Sequence, residues 1–309
     1  MSSFLALIIF ILATNYFQFS LGVKKLASLY EAQPMPLKYH NGPLLEGQLP
    51  VYVLWYGKFS PSQKTIVSDF FLSLDRPARK HDRVVGPTVG LWWHTVQTNY
   101  MKKAGKGRLH VILSKQHVDE ECSLGKNLNK SQLAELARRV NSKPIGLTLV
   151  LTANDVAVEG FCVSSCGSHG SDHKTKSTYI WVGNSISQCP GQCAWPFHQP
   201  IYGPQDTPLV APNADVGVDG MVVNIANLLA NTATNPFGTG YYQGEAEAPL
   251  EVASACTGVY GKGAYPGHAG ELLIDSSSGA SYNANGLDGR KYLLPALFDP
   301  STSTCWTLV

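Results

Sequence analysis

Val51-Tyr52-Val53-Leu54-Trp55-Tyr56-Gly57, followed by Ser60-Pro61-Ser62-Gln63 and then by Ile66, Phe70 and Leu74, reads as strand, short loop and helix. The first six residues are apolar, β-branched or aromatic without alternation, the pattern of a strand covered on both faces. Gly57 ends it. Ser60 can cap the orphan amides of a helix start, Pro61 fits the first helical position, and Gln63 completes a capping box. Ile66, Phe70 and Leu74 then recur every fourth residue and lie on one helical face.

The same alternation continues outward. Val89, Trp92, Trp93, Val96 and Tyr100 predict a second helix beginning just after Pro87-Thr88. Leu109–Leu113 predicts a second strand, and Leu133, Leu136, Ala137 and Val140 a third helix capped between Asn129 and Ser131. Strands are expected at 145–151 and 178–182, a fourth helix from Met221 to Thr234 with Asp219 as its cap, and a late hairpin across 272–282. Strands alternating with helices point to an α/β (or α+β) fold: one layered domain, a mixed sheet flanked by helices. The Pro-rich segment 183–217 is expected as a long, disulfide-stapled loop on its face.

The chain has 309 residues, of which only 15% are charged, with a net charge of +2. So weak a field does not select nucleic acid or an anionic membrane as a partner. Phe4–Ala13 is an uncharged apolar run, too short for a membrane span and of the length of a signal-peptide core. Ser20-Leu21-Gly22 supplies small residues for cleavage, so residues 1–22 are expected as a signal peptide, 23–50 as an N-terminal tether and 51–309 as the domain. No later stretch is apolar enough for a span, and the C-terminus lacks a lipid-anchor tail. Export also makes Asn129-Lys130-Ser131 a glycosylation acceptor at Asn129.

Seven cysteines lie beyond residue 22. In an oxidising compartment they should largely pair. Cys162-x3-Cys166 and Cys189-x3-Cys193 suggest two local disulfides, the second closed over the Pro190-Gly191 turn. Cys256 and Cys305 suggest a clasp on the C-terminus, with Cys122 left as the odd thiol. A four-cysteine zinc site is the rival arrangement for the two short-spaced pairs.

Several stretches carry a resemblance: Tyr39-His40-Asn41-Gly42-Pro43-Leu44-Leu45, Trp92-Trp93, Tyr179-Ile180-Trp181-Val182-Gly183-Asn184-Ser185, Gln188-Cys189-Pro190-Gly191-Gln192-Cys193-Ala194-Trp195-Pro196-Phe197, Thr234-Asn235-Pro236-Phe237 and Gly289-Arg290-Lys291-Tyr292-Leu293-Leu294-Pro295-Ala296. Together they resemble the Exordium-like, phosphate-induced protein 1 family across residues 39–309. The resemblance implies a secreted plant protein of the apoplast or cell wall, with a role in growth and cell expansion linked to brassinosteroid response or carbon status. It brings no chemistry to named residues.

Sequence tests for chemistry are largely negative. Ile225–Pro236 has the outline of a zinc-protease helix, in which two imidazoles one turn apart bind zinc beside a glutamate base. Asn227, Leu228 and Asn231 stand at those positions, so the scaffold would be a degenerate one without metal, or else an ordinary amphipathic helix. His169-Gly170-Ser171-Asp172-His173 groups two imidazoles and a carboxylate, but its Gly and Ser favour a solvated loop. A glycosidase needs two converging carboxylates; Asp155, Glu159, Asp215, Asp219, Glu247, Glu251, Asp275 and Asp288 are candidates. Gly258–Gly263 lacks the Gly-Lys-Ser/Thr ending and the preceding strand of a phosphate loop and reads as a turn cluster. Trp195-Pro196-Phe197-His198, Tyr241-Tyr242 and Tyr260 lie in Gly/Pro-rich loops, where aromatic faces serve carbohydrate or peptide contact or plug the loop onto the core. The expectation is a non-enzymatic, cofactor-free protein that binds a wall glycan or a cell-surface protein. A carboxylate-dependent hydrolase of wall polysaccharide or peptide is the alternative.

Overall fold

The computed structural model describes residues 36–75, 86–141, 146–172, 174–203, 206–245 and 248–309. The expected signal peptide and the start of the tether lie outside these residues. Strand β1 (Lys38–Tyr39) and strand β2 (Gly47–Tyr56) come first, then helix α1 (Pro61–Leu74), helix α2 (Val89–Val96) with a π-helical continuation to Lys102, and strand β3 (Leu109–Asp119). Strand β4 (Asn127–Leu128), helix α3 (Lys130–Val140), strand β5 (Leu147–Thr152), strand β6 (Ala157–Val158), strand β7 (Gly167–Asp172) and strand β8 (Ser177–Gly183) follow. A helical turn, α4 (Pro190–Cys193), precedes the long helix α5 (Val216–Thr234).

One five-stranded sheet in the order β3-β2-β5-β8-β7 organises the chain. The first four strands are parallel, and β7 alone runs antiparallel, on β8. β5 is buried at every position, as a central strand covered on both faces must be. Thr148 donates its hydroxyl to the Ala137 carbonyl of α3. On β8, Trp181 donates its indole N–H to the Thr152 hydroxyl at 3.1 Å, which satisfies both polar groups inside the core. Gly57, at φ +91°, turns the chain out of β2, and a Cβ there would stand 2.6 Å from that of Ala153.

α1 begins as its sequence dictates: Ser60 and Gln63 form the reciprocal capping box, with Pro61 just inside. Thr88 caps α2. Asn129 caps α3 and forms a second capping box with Gln132. α5 starts earlier than its apolar periodicity indicates. Asp215, not Asp219, is the cap, accepting from the Val218 amide at 2.9 Å. Asp219 sits one turn further in and is buried, held by the backbone and side-chain N–H groups of Asn213 at 2.8 and 2.6 Å.

Beyond α5 the chain runs in short antiparallel ribbons. β9 (Tyr241–Tyr242) pairs with β1. β10 (Leu273–Ile274) pairs with β11 (Ser281–Tyr282), which is the expected hairpin. β12 (Ala284–Asn285) pairs with β13 (Lys291–Tyr292), and β14 (Leu297–Asp299) with β15 (Thr304–Trp306). Polar tips of buried aromatics fasten this region. Tyr292 donates to the Ile66 carbonyl and Trp92 to that of Pro295, both at 2.9 Å.

Two expectations are corrected here. Residues 37–50 are not a tether: Leu37, Leu44 and Leu49 are buried, and Tyr39 stacks on Tyr241 with ring centroids 4.7 Å apart. These apolar residues, spaced without a helical or strand period, all join the main core, Leu49 as part of β2. The His169 segment is strand β7 and not a loop. It contains no apolar residue and escapes periodicity, yet it pairs with β8 in register from Gly167↔Val182 to Asp172↔Ser177. Gly170 is required there, because a Cβ would fall 2.6 Å from the Tyr179 ring.

Candidate functional site

Three disulfides are present: Cys162–Cys189, Cys166–Cys193 and Cys256–Cys305. The last is the expected C-terminal clasp. The two short-spaced pairs are crossed, not local, which corrects the sequence expectation. Pro190 does not reverse the chain; it starts the helical turn α4, as proline at a first helical position does. Residues four apart on a helix point side by side, so Cys189 and Cys193 face the same way and cannot meet each other's bonding geometry. Each takes its counterpart from the 162–166 segment. The result is a two-rung ladder in which the Cys189 and Cys193 sulfurs lie 3.5 Å apart. Cys122 is a buried free thiol whose pKa is raised by that burial.

The ladder forms one side of a large cleft with a volume of about 1210 Å³. α5 contributes Val223, Asn224 and Asn227, and the turn after the Cys256 disulfide contributes Gly258 and Tyr260. Trp195 lies 5.8 Å from Tyr260, centroid to centroid, with Gly258 against its ring. Burial pushes the pKa of the Tyr260 hydroxyl up, and this hydroxyl donates to the Trp195 carbonyl. Ile201, Tyr202 and Tyr265 also line the cleft and are 81%, 87% and 61% exposed. No Asp, Glu, Lys or Arg lines it among the described residues.

Of the aromatics singled out in the sequence, Trp195, His198 and Tyr260 meet at this cleft. Phe197 is in the core, and Tyr241 and Tyr242 stack on Tyr39 and His40. Ile201, Tyr202 and Tyr265 were missed. Their Gly/Pro-rich setting was the available signal.

The candidate carboxylates have other work. Asp155 pairs with Lys126, and Asp275 with Lys291. Glu159 accepts from the Lys130 amide. Asp288 sits in a left-handed turn at φ 52°. Glu247 lies outside the described residues. Glu251 is buried, accepting from Asn235 Nδ2 at 2.6 Å and meeting His169 Nε2 at 2.9 Å. None of those described lines the cleft.

Asn227, Leu228 and Asn231 have ordinary structural contacts. Asn231 accepts from the Ala253 amide at 2.9 Å and donates to Asn227 Oδ1 at 2.8 Å. Leu228 Cδ1 would stand 2.8 Å from a Cβ on Gly167.

Asn129 is exposed and does not line the cleft. Its Oδ1 accepts from the Gln132 amide at 2.9 Å, which leaves Nδ2 for a glycan. Asn129→Asp should abolish any glycan and keep the cap, whereas Asn129→Ala should also cost about 1 kcal/mol. Glycosidase digestion read by mass, with urea unfolding of the deglycosylated proteins, checks both.

Residues 37–308 match the phosphate-induced protein 1 conserved region. The chain belongs to this family. It is 58% identical to Protein PHOSPHATE-INDUCED 1 of Nicotiana tabacum over 293 residues, 93% of this chain and 92% of that protein. It is 54% identical to Protein EXORDIUM of Arabidopsis thaliana over 301 residues, 94% of this chain and 95% of that one. With Protein EXORDIUM-like 2 of the same plant the identity is 53% over 289 residues, 92% and 93% of the two chains. No solved structure matches. The zinc-protease-like scaffold thus gains no support from a structural relative. Among the described residues no three or more His, Cys, Asp or Glu are grouped to hold a metal ion. Nor is any described helix long and apolar enough to cross a membrane.

Proposed function

We propose that this member of the phosphate-induced protein 1 family is exported to the apoplast or cell wall and acts there as a non-catalytic binding protein. It tunes growth and cell expansion, in step with brassinosteroid response or carbon status, by holding a wall glycan or a cell-surface partner in the disulfide-walled cleft. The observation that carries this reading is the lining itself: amides, exposed aromatic rings and no charged side chain among the described residues. Such a surface orients a ligand but offers no acid or base pair for hydrolysis. The three disulfides suit an oxidising compartment.

The test replaces the two most exposed rings. Tyr202→Ala with Tyr265→Ala should leave export and the melting temperature unchanged, since neither ring is in the core, and should abolish both wall retention and growth promotion when expressed in the plant. Full growth promotion by this variant would sink the cleft as the working surface. Turnover of a wall polymer by the purified protein would sink the non-catalytic reading.

A further inference from the structure

We propose that the cleft takes an uncharged, hydroxyl-rich oligosaccharide, an inference that rests on the binding reading above and names its ligand class. The argument is an account of fixed hydrogen-bonding groups. Asn224 lies against two carbonyls, those of Cys193 and Gly220, each at 2.8 Å. A carbonyl only accepts, so the amide nitrogen must face them, and Oδ1 is left as an acceptor that no described residue engages. Gln188 is fixed in the same way. Its Nε2 donates to the carbonyls of Asn154 and Val156, each at 3.1 Å, which leaves Oε1.

Asn227 has the opposite polarity. The Ala253 amide can only donate, so Asn231 meets it with Oδ1 and turns Nδ2 toward Asn227. Asn227 must answer with Oδ1, and its own Nδ2 is left as the donor. Three residues that line the cleft therefore carry two held acceptors and one held donor that no described residue engages. A hydroxyl both donates and accepts, and a sugar carries several per ring.

Charge and shape narrow the class further. A uronate or phosphate would be desolvated here without a countercharge. A proline-rich polypeptide suits aromatic grooves but has few N–H groups to give the two acceptors. The exposed faces of Tyr202 and Tyr265 offer flat apolar area at small entropic cost. At about 1210 Å³ the cleft exceeds the roughly 300–1,000 Å³ of a small-molecule site, so several sugar units fit better than one.

The experiment is calorimetric titration of the exported, disulfide-bonded protein with cellobiose, cellohexaose, a xyloglucan oligosaccharide and oligogalacturonate. A neutral hexasaccharide or xyloglucan fragment should bind, more tightly than the disaccharide and without dependence on salt. Tyr202→Ala should weaken it about tenfold. Asn227→Asp keeps the acceptor that Asn231 needs but removes the donor, and should weaken it by at least as much while leaving the melting curve in place. Preference for oligogalacturonate, displacement by a proline-rich peptide, or no neutral oligosaccharide bound at millimolar concentration would each overturn the ligand class. If binding to these sugars fails while the double tyrosine variant still loses wall retention, the ligand class is wrong and the cleft remains the working surface. If that variant keeps its retention, the cleft reading itself is lost.

Discussion

Removing one rung of the disulfide ladder should cost about 2.5 kcal/mol whichever rung it is, and removing the second about 3.5 kcal/mol more. The asymmetry comes from the crossing. With Cys162–Cys189 in place, Cys166–Cys193 closes only a small ring through the two x3 segments, and little chain entropy is left to remove. Once both are gone, a separation of 27 residues opens in the unfolded chain. Urea unfolding of the Cys162→Ser/Cys189→Ser protein, of the Cys166→Ser/Cys193→Ser protein and of the fourfold variant measures the series. Local pairing would instead give two small, additive losses of about 2 kcal/mol each. A second readout does not depend on folding. Trypsin cuts between Cys166 and Cys189 but within neither cysteine pair, so fragments 140–174 and 177–262 should stay joined until reduced. Fragments that separate without reductant would refute the ladder. The fourfold variant should also lose ligand binding, because both rungs line the cleft.

The ladder marks where sequence reading reached its limit. Spacing showed that four cysteines lie in two x3 pairs, but pairing depends on the direction of each Cβ, and that is fixed by whether Pro190-Gly191 reverses the chain or starts a helix. A dipeptide compatible with both cannot decide. The sheet was more legible. Residues 51–56, 147–151 and 178–182 are largely buried and nearly continuously apolar, interrupted only by Thr148 and Thr178, so composition located them. β7 was illegible for the converse reason. As a half-covered edge of Gly, Ser, His and Asp it owes its place to backbone pairing with β8 and to the space Gly170 leaves for Tyr179. The cleft was legible in part. Trp195 and Tyr260 stood out as loop aromatics, but the amide orientations that give it polarity depend on backbone groups as distant in sequence as Ala253 and Val156. Asn227 and Asn231 were noticed for what they lack as zinc ligands. Their contribution is the hydrogen-bond order that leaves Asn227 as a donor.

Asp219 makes stability depend on pH in a direction opposite to that of most surface carboxylates. It is 3% exposed, and its pKa is pushed up to about 7, chiefly by burial, with the nearby Asp215 carboxylate adding to the rise. The two N–H groups of Asn213 favour the charged form but do not offset the loss of water. Between an unfolded value near 3.9 and the folded value, the native protein holds a proton that the unfolded chain has released. Native proton binding in excess means that stability falls as pH rises. The contribution is therefore whole below about pH 4 and is lost progressively up to about pH 7, a change of about 4 kcal/mol across the window. Asp219→Asn keeps the shape and one acceptor but does not titrate. The unfolding free energy of the wild type minus that of Asp219→Asn should therefore decrease by this amount from pH 4 to pH 7.5, with the common titrations of other groups cancelling in the difference. A difference that stays flat, or that increases with pH, would mean that Asp219 is ionised in the fold and that Asn213 and the first turn of α5 hold its charge after all.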